Sequence, residues 1–90
     1  MNIFSQQPAD VLDYGVDLTK WLVSGDTVNQ ATVEVSPSGL NAVVTQENTS
    51  EPKVWLSGGV DDVEYQVTLT VITTGGRKKE FEFKLAVVEL

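Results

Sequence analysis

The feature that most restricts how this chain can fold is the run from Lys53 to Gly76, KVWLSGGVDDVEYQVTLTVITTGG. Within it Tyr65, Val67, Leu69 and Val71 recur at every second position, with Gln66, Thr68 and Thr70 between them. Successive side chains of an extended strand point to opposite faces, so this spacing describes a strand with one face buried and the other wet. Gly58 and Gly59 stand before it and Gly75 and Gly76 after it, which places turn residues on both sides. A strand of this kind needs a second layer to cover its apolar face.

A second strand of the same type follows at once. Phe81, Phe83, Leu85 and Val87 alternate with Glu80, Glu82, Lys84 and Ala86, and the intervening TTGGRK reverses the chain. The two strands are expected to pair as a hairpin, with aromatic and β-branched cross-strand neighbours adding a few tenths to about 1 kcal/mol each.

The remaining segments are shorter. MNIFSQQPAD is polar apart from Ile3 and Phe4, and Pro8 lacks a ladder donor, so residues 1–8 read as a lead-in or edge segment. VLDYGV, residues 11–16, extends with Leu12 and Tyr14 on one face and Val11 and Asp13 on the other, and Gly15 marks an expected bulge or bend. Asp17 then precedes LTKWL, where Leu18, Trp21 and Leu22 have the i, i+3, i+4 spacing of a helical face. That admits one short helical turn near residues 18–22 behind an Asp cap, although so short a run also reads as extended chain. Thr27 to Val35 alternates as a strand, Ser36-Pro37-Ser38-Gly39 is a tight turn, Leu40 to Gln46 is a further strand, and Val54-Trp55-Leu56 a short one. Six or seven strands without a long helix point to an all-β fold of two packed antiparallel sheets, with a small barrel as the competitor.

Size and charge narrow the function. Ninety residues make one domain over 1–90, and a chain of that size buries only about 60 to 65% of its unfolded surface, so the core must be single. There is no cysteine, hence no disulfide framework or thiolate metal site. No charged and apolar leader follows Met1 and no apolar run nears the roughly 20 residues of a membrane helix, so neither export nor embedding in a membrane is expected. Thirteen acidic and six basic residues give a net charge of −7, which repels phosphate backbones and argues against nucleic acid as a partner. Half of the positive charge is gathered in Arg77-Lys78-Lys79. The plain interpretation is a solvated hairpin tip; the functional one is a contact with an acidic patch on a partner.

Catalysis finds few candidates. The chain has neither histidine nor cysteine, and its densest carboxylates, Asp61, Asp62 and Glu64, sit on an expected turn, where a solvated loop is the economical reading. The same trio, with Asp10 or Asp13, supplies hard oxygen ligands of the kind calcium takes, but the spacing matches no EF-hand loop. The SGG and TGG pairs are turns and do not form a phosphate-cradling loop. No enzyme, cofactor or metal centre is therefore expected. Two tryptophans remain. Trp21 is expected to anchor the core. Trp55 is expected to pack between the sheets, and if exposed it becomes a platform on which a sugar can stack, because Val54 and Leu56 can form the buried pair.

LSGGVDDVEYQVTLTVI resembles the corner of an immunoglobulin-like or fibronectin type III-like sandwich, where a tyrosine hydroxyl bonds to backbone a few residues upstream. Tyr65 is the matching position, with Gly58 and Gly59 in the turn before it and Trp21 or Trp55 as the tryptophan of an earlier strand. Over nearly the whole chain, LDYGVDLTKWL, the GDT turn, WLSGG and ITTGGR resemble the small immunoglobulin-like structural proteins of tailed bacteriophages and prophages described as fibre-to-tail adaptors. Val60-Asp61-Asp62-Val63 replaces a more glycine-rich corner, and Lys78 and Lys79 add charge to the hairpin. The resemblance implies a virion structural module, made in the bacterial host cytoplasm, that contacts other tail, fibre or head-completion proteins and self-associates in a ring or other symmetric array. A carbohydrate- or cell-surface-binding module is the alternative.

Overall fold

A computed structural model describes residues 2–46 and 48–89. Seven strands form in chain order: β1 (Asn2–Gln6), β2 (Val11–Gly15), β3 (Val28–Ser36), β4 (Leu40–Thr45), β5 (Lys53–Gly58), β6 (Val63–Thr73) and β7 (Lys78–Val87). They make two sheets, one in the order β1-β7-β6-β3 and one in the order β2-β5-β4. The fold is an all-β, immunoglobulin-like sandwich. Because the two sheets stay separate, the barrel alternative does not apply.

The alternation read from the sequence determines which residues face inward. Tyr65, Val67, Leu69 and Val71 of β6 and Leu85 and Val87 of β7 have no exposed surface, and Phe83 is nearly as deep. Opposite them, Val54 and Leu56 of β5 are fully buried. Pairing between β6 and β7 runs from Val63↔Val87 to Ile72↔Lys78, so this hairpin is the longest element of a molecule measuring 45 × 18 × 18 Å. The β2-β5-β4 sheet is much shorter and leaves the far end of the hairpin uncovered by strand.

The 16–27 segment covers that end. Val16 and Leu18 donate N–H bonds to Pro52 and Ser50 carbonyls (3.0 and 2.9 Å), and Leu18 is fully buried. No helix forms among the described residues. At 18–22 the chain makes a turn in which the Trp21 and Leu22 N–H groups both donate to the Leu18 carbonyl, a single α-type bond accompanying a tighter one. Asp17 starts it, its Oδ1 accepting from the Thr19 N–H and hydroxyl (3.0 and 2.7 Å). Trp21 is half-buried, its ring edge-on to Phe81 at 6.1 Å, so it closes the end of the core and does not sit at its centre.

Residues 2–6 are a strand, added parallel to β7 with Phe4↔Leu85 and Gln6↔Val87. Gln6 is buried at 5% exposure and joins the two sheets: its amide donates to the Leu56 carbonyl (3.1 Å), and its Oε1 accepts from the Tyr14 hydroxyl (2.8 Å). Burial, and then the Asp10 carboxylate, raise the Tyr14 pKa above its ordinary value. Phe4, Tyr14 and Phe83 rings gather beside it at 5.0 to 5.8 Å. Gly15 pairs regularly with Lys53 at the end of β2, and the irregularity falls between Val28 and Gln30 in β3.

Candidate functional site

Three surfaces carry the residues that the sequence singles out. The first is the corner where β5 passes to β6. The Val60 N–H donates to the Tyr65 hydroxyl (2.9 Å), five residues upstream of the ring. Two glycines make room for it. A Cβ on Gly39 would stand 3.2 Å from the Tyr65 hydroxyl, and one on Gly59 would stand 2.8 Å from Val87 Cγ2 and 3.3 Å from Tyr65 Cε2. Gly58 precedes Gly59 at φ 75°, with only the Asn41 amide near its open side. Asp62 takes φ 67°, a left-handed turn position usually filled by glycine and tolerated by Asp because its short side chain is polar.

The loop that this corner presents is acidic. Asp61 and Asp62 lie in it, whereas Glu64, expected on the same turn, is the second residue of β6; all three are exposed, Asp61 Oδ1 accepts from the Glu89 N–H (2.8 Å), and Glu64 lies 3.4 Å from the Lys84 ammonium. No group of three or more acidic side chains able to hold a metal ion occurs among the described residues.

The opposite end of the hairpin is basic. Arg77 is in the turn, its N–H donating to the Thr73 hydroxyl (3.0 Å), whereas Lys78 and Lys79 are the first residues of β7 and all three are exposed. Lys79 Nζ lies 5.6 Å from the centre of the Phe81 ring, a cation–π contact that aims one charge back along the arm. Asp26, from the SGD turn, fastens this end: its Oδ1 accepts from the Thr27 and Gly75 N–H groups (both 2.9 Å) and from the Thr74 hydroxyl (3.1 Å). Hydrogen bonding by the Thr73 hydroxyl, opposed by partial desolvation and joined by these other donors, holds the Asp26 carboxyl below the usual range. Asp17 is lowered for a related reason, its bonds to Thr19.

The third surface is the outer face of the β2-β5-β4 sheet. Register places Asp13, Trp55 and Val43 side by side across the three strands. Trp55 is 38% exposed there while its neighbours Val54 and Leu56 are fully buried, so it does not pack between the sheets. Val43 and Val11 are 59% and 62% exposed on the same face. The indole N–H is bonded to Thr45 Oγ1 (3.1 Å), and the Lys53 ammonium stands 3.9 Å from the Asp13 carboxylate. Alternation around a three-residue apolar run allows an outward Trp55 only as the alternative to packing between the sheets; Val11 and Val43 are found only once the register is known.

Beside these surfaces a cleft of about 500 Å³ opens between Phe4, Tyr14, Val16, Phe81 and Phe83, with Asp13, Asp17 and Glu82 on its rim. The chain contains no histidine or cysteine, so no imidazole or thiol stands beside these carboxylates.

In its fold the chain is similar to the solution structure of the PKD domain from KIAA 1837 protein, at 17% identity and a TM-score of 0.53, over 98% of this chain and 79% of that one. No curated protein matches it in sequence. The sequence model of the podophage GP4 fibre-tail adaptor protein gp77 family matches residues 6–86, and with nearly the whole sandwich inside that match the chain belongs to the podophage fibre-tail adaptor family.

Proposed function

We propose that this protein is a non-catalytic module of the virion, made in the host cytoplasm and built into the particle through contacts with other tail, fibre or head-completion proteins. The observation that carries this reading is the family match over residues 6–86. The distribution of side chains supports it. The conformationally demanding positions, Tyr65 with Gly59 and Gly39, stiffen the body, while the charged groups project from its ends. Arg77, Lys78 and Lys79 lie at one end of the β6–β7 hairpin and Asp61, Asp62 and Glu64 at the other.

Opposite charges at the two ends of a 45 Å body suit a head-to-tail contact between copies, and a repeated contact of that kind closes into a ring when its rotation permits. Exposed charges of this sort chiefly set encounter rate and register, so the contact is expected to weaken as salt rises.

Mass spectrometry of purified particles tests the reading. The chain is expected in the virion, and deletion of its gene is expected to leave tails without fibres. Absence of the chain from particles, with normal assembly after deletion, would sink it. The triple change Arg77→Glu, Lys78→Glu, Lys79→Glu is expected to leave the circular dichroism spectrum unchanged and to prevent incorporation; full incorporation of that variant would remove the basic end from the interface.

A further inference from the structure

We propose that the outer face of the β2-β5-β4 sheet is a stacking site for a β-1,4-linked pyranose chain, the backbone chemistry of the bacterial cell-wall glycan. The bacterial source rests on the virion reading above; the stacking chemistry rests on the face itself.

The central residue is Trp55. Its one polar atom, the indole N–H, is already bonded to Thr45 Oγ1 at 3.1 Å on the neighbouring strand. That bond satisfies the ring's polar atom, and the residue stays 38% exposed. A rigid aromatic ring loses little conformational entropy when something stacks on it. The C–H bonds on one face of an all-equatorial pyranose form the complementary surface, and a β-1,4 chain of such rings is a ribbon whose apolar face can lie across the exposed indole.

The groups around the ring also suit a sugar. Asp13 is directly across from Trp55 in register, and Lys53 is on the same face 3.9 Å from the Asp13 carboxylate. A carboxylate and an ammonium beside an aromatic ring can accept from and donate to hydroxyls on the edge of a stacked pyranose. Val43, at 59% exposure, extends the apolar surface on the other side.

The size of the face argues against a protein partner as its main occupant. Three strands about 4.8 Å apart, with some six residues at about 3.3 Å each, offer roughly 200 to 300 Å². A stable protein complex buries about 800 Å² on each side. A face of this size accommodates two or three sugar rings and binds them weakly, and many copies in one particle would turn weak binding into useful avidity.

The test is titration of the ¹⁵N-labelled full chain with chitohexaose, followed by two-dimensional NMR. The expected result is a saturable shift of the Trp55 indole N–H and of the Val11, Asp13, Val43 and Lys53 amides, with a midpoint on the order of a millimolar. Trp55→Ala should abolish the response and Asp13→Ala should weaken it at least about threefold, whereas Glu34→Gln, on the outer face of the other sheet, should not change it. Dispersed spectra confirm that each variant is folded, and Asp13→Ala carries the test if Trp55→Ala is not. No saturable shift up to about 10 mM chitohexaose, shifts that survive Trp55→Ala, or the same shifts produced by raising protein concentration alone would overturn the proposal, the last by assigning the face to protein contacts. Incorporation into particles is measured separately, so a failed titration leaves the virion reading standing.

Discussion

At the Val63↔Val87 end of the long hairpin, a phenol, two glycines and a valine methyl pack around one hydrogen bond; at the Ile72↔Lys78 end, a carboxylate gathers its donors at the surface. The first ties the β5–β6 connection to Tyr65, and the second ties the residues before β3 to the β6–β7 turn. They differ in what is lost when one atom changes. The corner is sterically closed, so an added methyl or a missing hydroxyl has nowhere to be absorbed. The clasp around Asp26 is open to water, which can replace any donor that is removed.

The sharpest test compares two glycines with nearly the same backbone. Gly59 has φ 95° and Gly76 has φ 90°, but a Cβ on Gly59 would meet Val87 Cγ2 at 2.8 Å while one on Gly76 would meet nothing within 4 Å. Gly59→Ala is expected to cost roughly 2 to 4 kcal/mol, the positive-φ penalty plus overpacking. Gly76→Ala should cost only the backbone part, about 1 kcal/mol. Urea unfolding with an unchanged m-value measures both. Equal losses would mean that the corner is no tighter than the tip.

Tyr65→Phe isolates the hydrogen bond from the packing. The ring stays and the Val60 N–H loses its acceptor, which is expected to cost about 1 to 2 kcal/mol by the same measurement. A neutral result would reduce the corner to shape alone. Native-state hydrogen exchange refines the contrast: amides of Val67 and Leu69 should exchange only through global unfolding, and those of Thr74 and Gly75 through local opening.

The same contrast explains what could be read in advance. Alternation at Tyr65 to Val71 and at Phe81 to Val87 specifies the buried face because strand period is fixed and both segments are long. The corner was legible because glycines and a tyrosine have narrow roles there. Gln6 and Asp26 were not. Gln6 lies in a polar stretch before a proline, and its burial depends on β1 pairing with Phe83 to Val87, residues far along the chain. Asp26 reads as an ordinary turn residue, and its donors come from Thr74 and Gly75 across the fold. Charge alone reads Lys78 and Lys79 as part of the turn because it marks exposure, which the first residues of a projecting strand share. On the Trp55 face, burial area favoured packing between sheets; the register instead turns the indole outward and bonds it to Thr45.

Acid should separate the two ends by the smallest of these effects. Asp26 has a pKa lowered in the folded chain, chiefly by hydrogen bonding from the Thr73 hydroxyl. A carboxyl whose folded pKa lies below its unfolded value stabilises the fold fully above the unfolded value, and that contribution disappears as pH falls through the folded one. For Asp26 the loss should therefore begin near the ordinary Asp value of 3.8 and be complete at more acidic pH. Asp17 titrates in the same direction, so the wild-type curve alone cannot assign the change. Melting temperatures of wild type and Asp26→Asn, compared from neutral pH downward, should differ by a small constant amount above that range and converge below it. The Tyr65→Phe difference should stay constant across the same range, since its loss involves no titrating carboxyl. A constant gap for Asp26→Asn would show that the clasp owes its strength to something other than the ionised carboxylate, and convergence of the Tyr65→Phe curve in acid would show that the corner too depends on a titrating group.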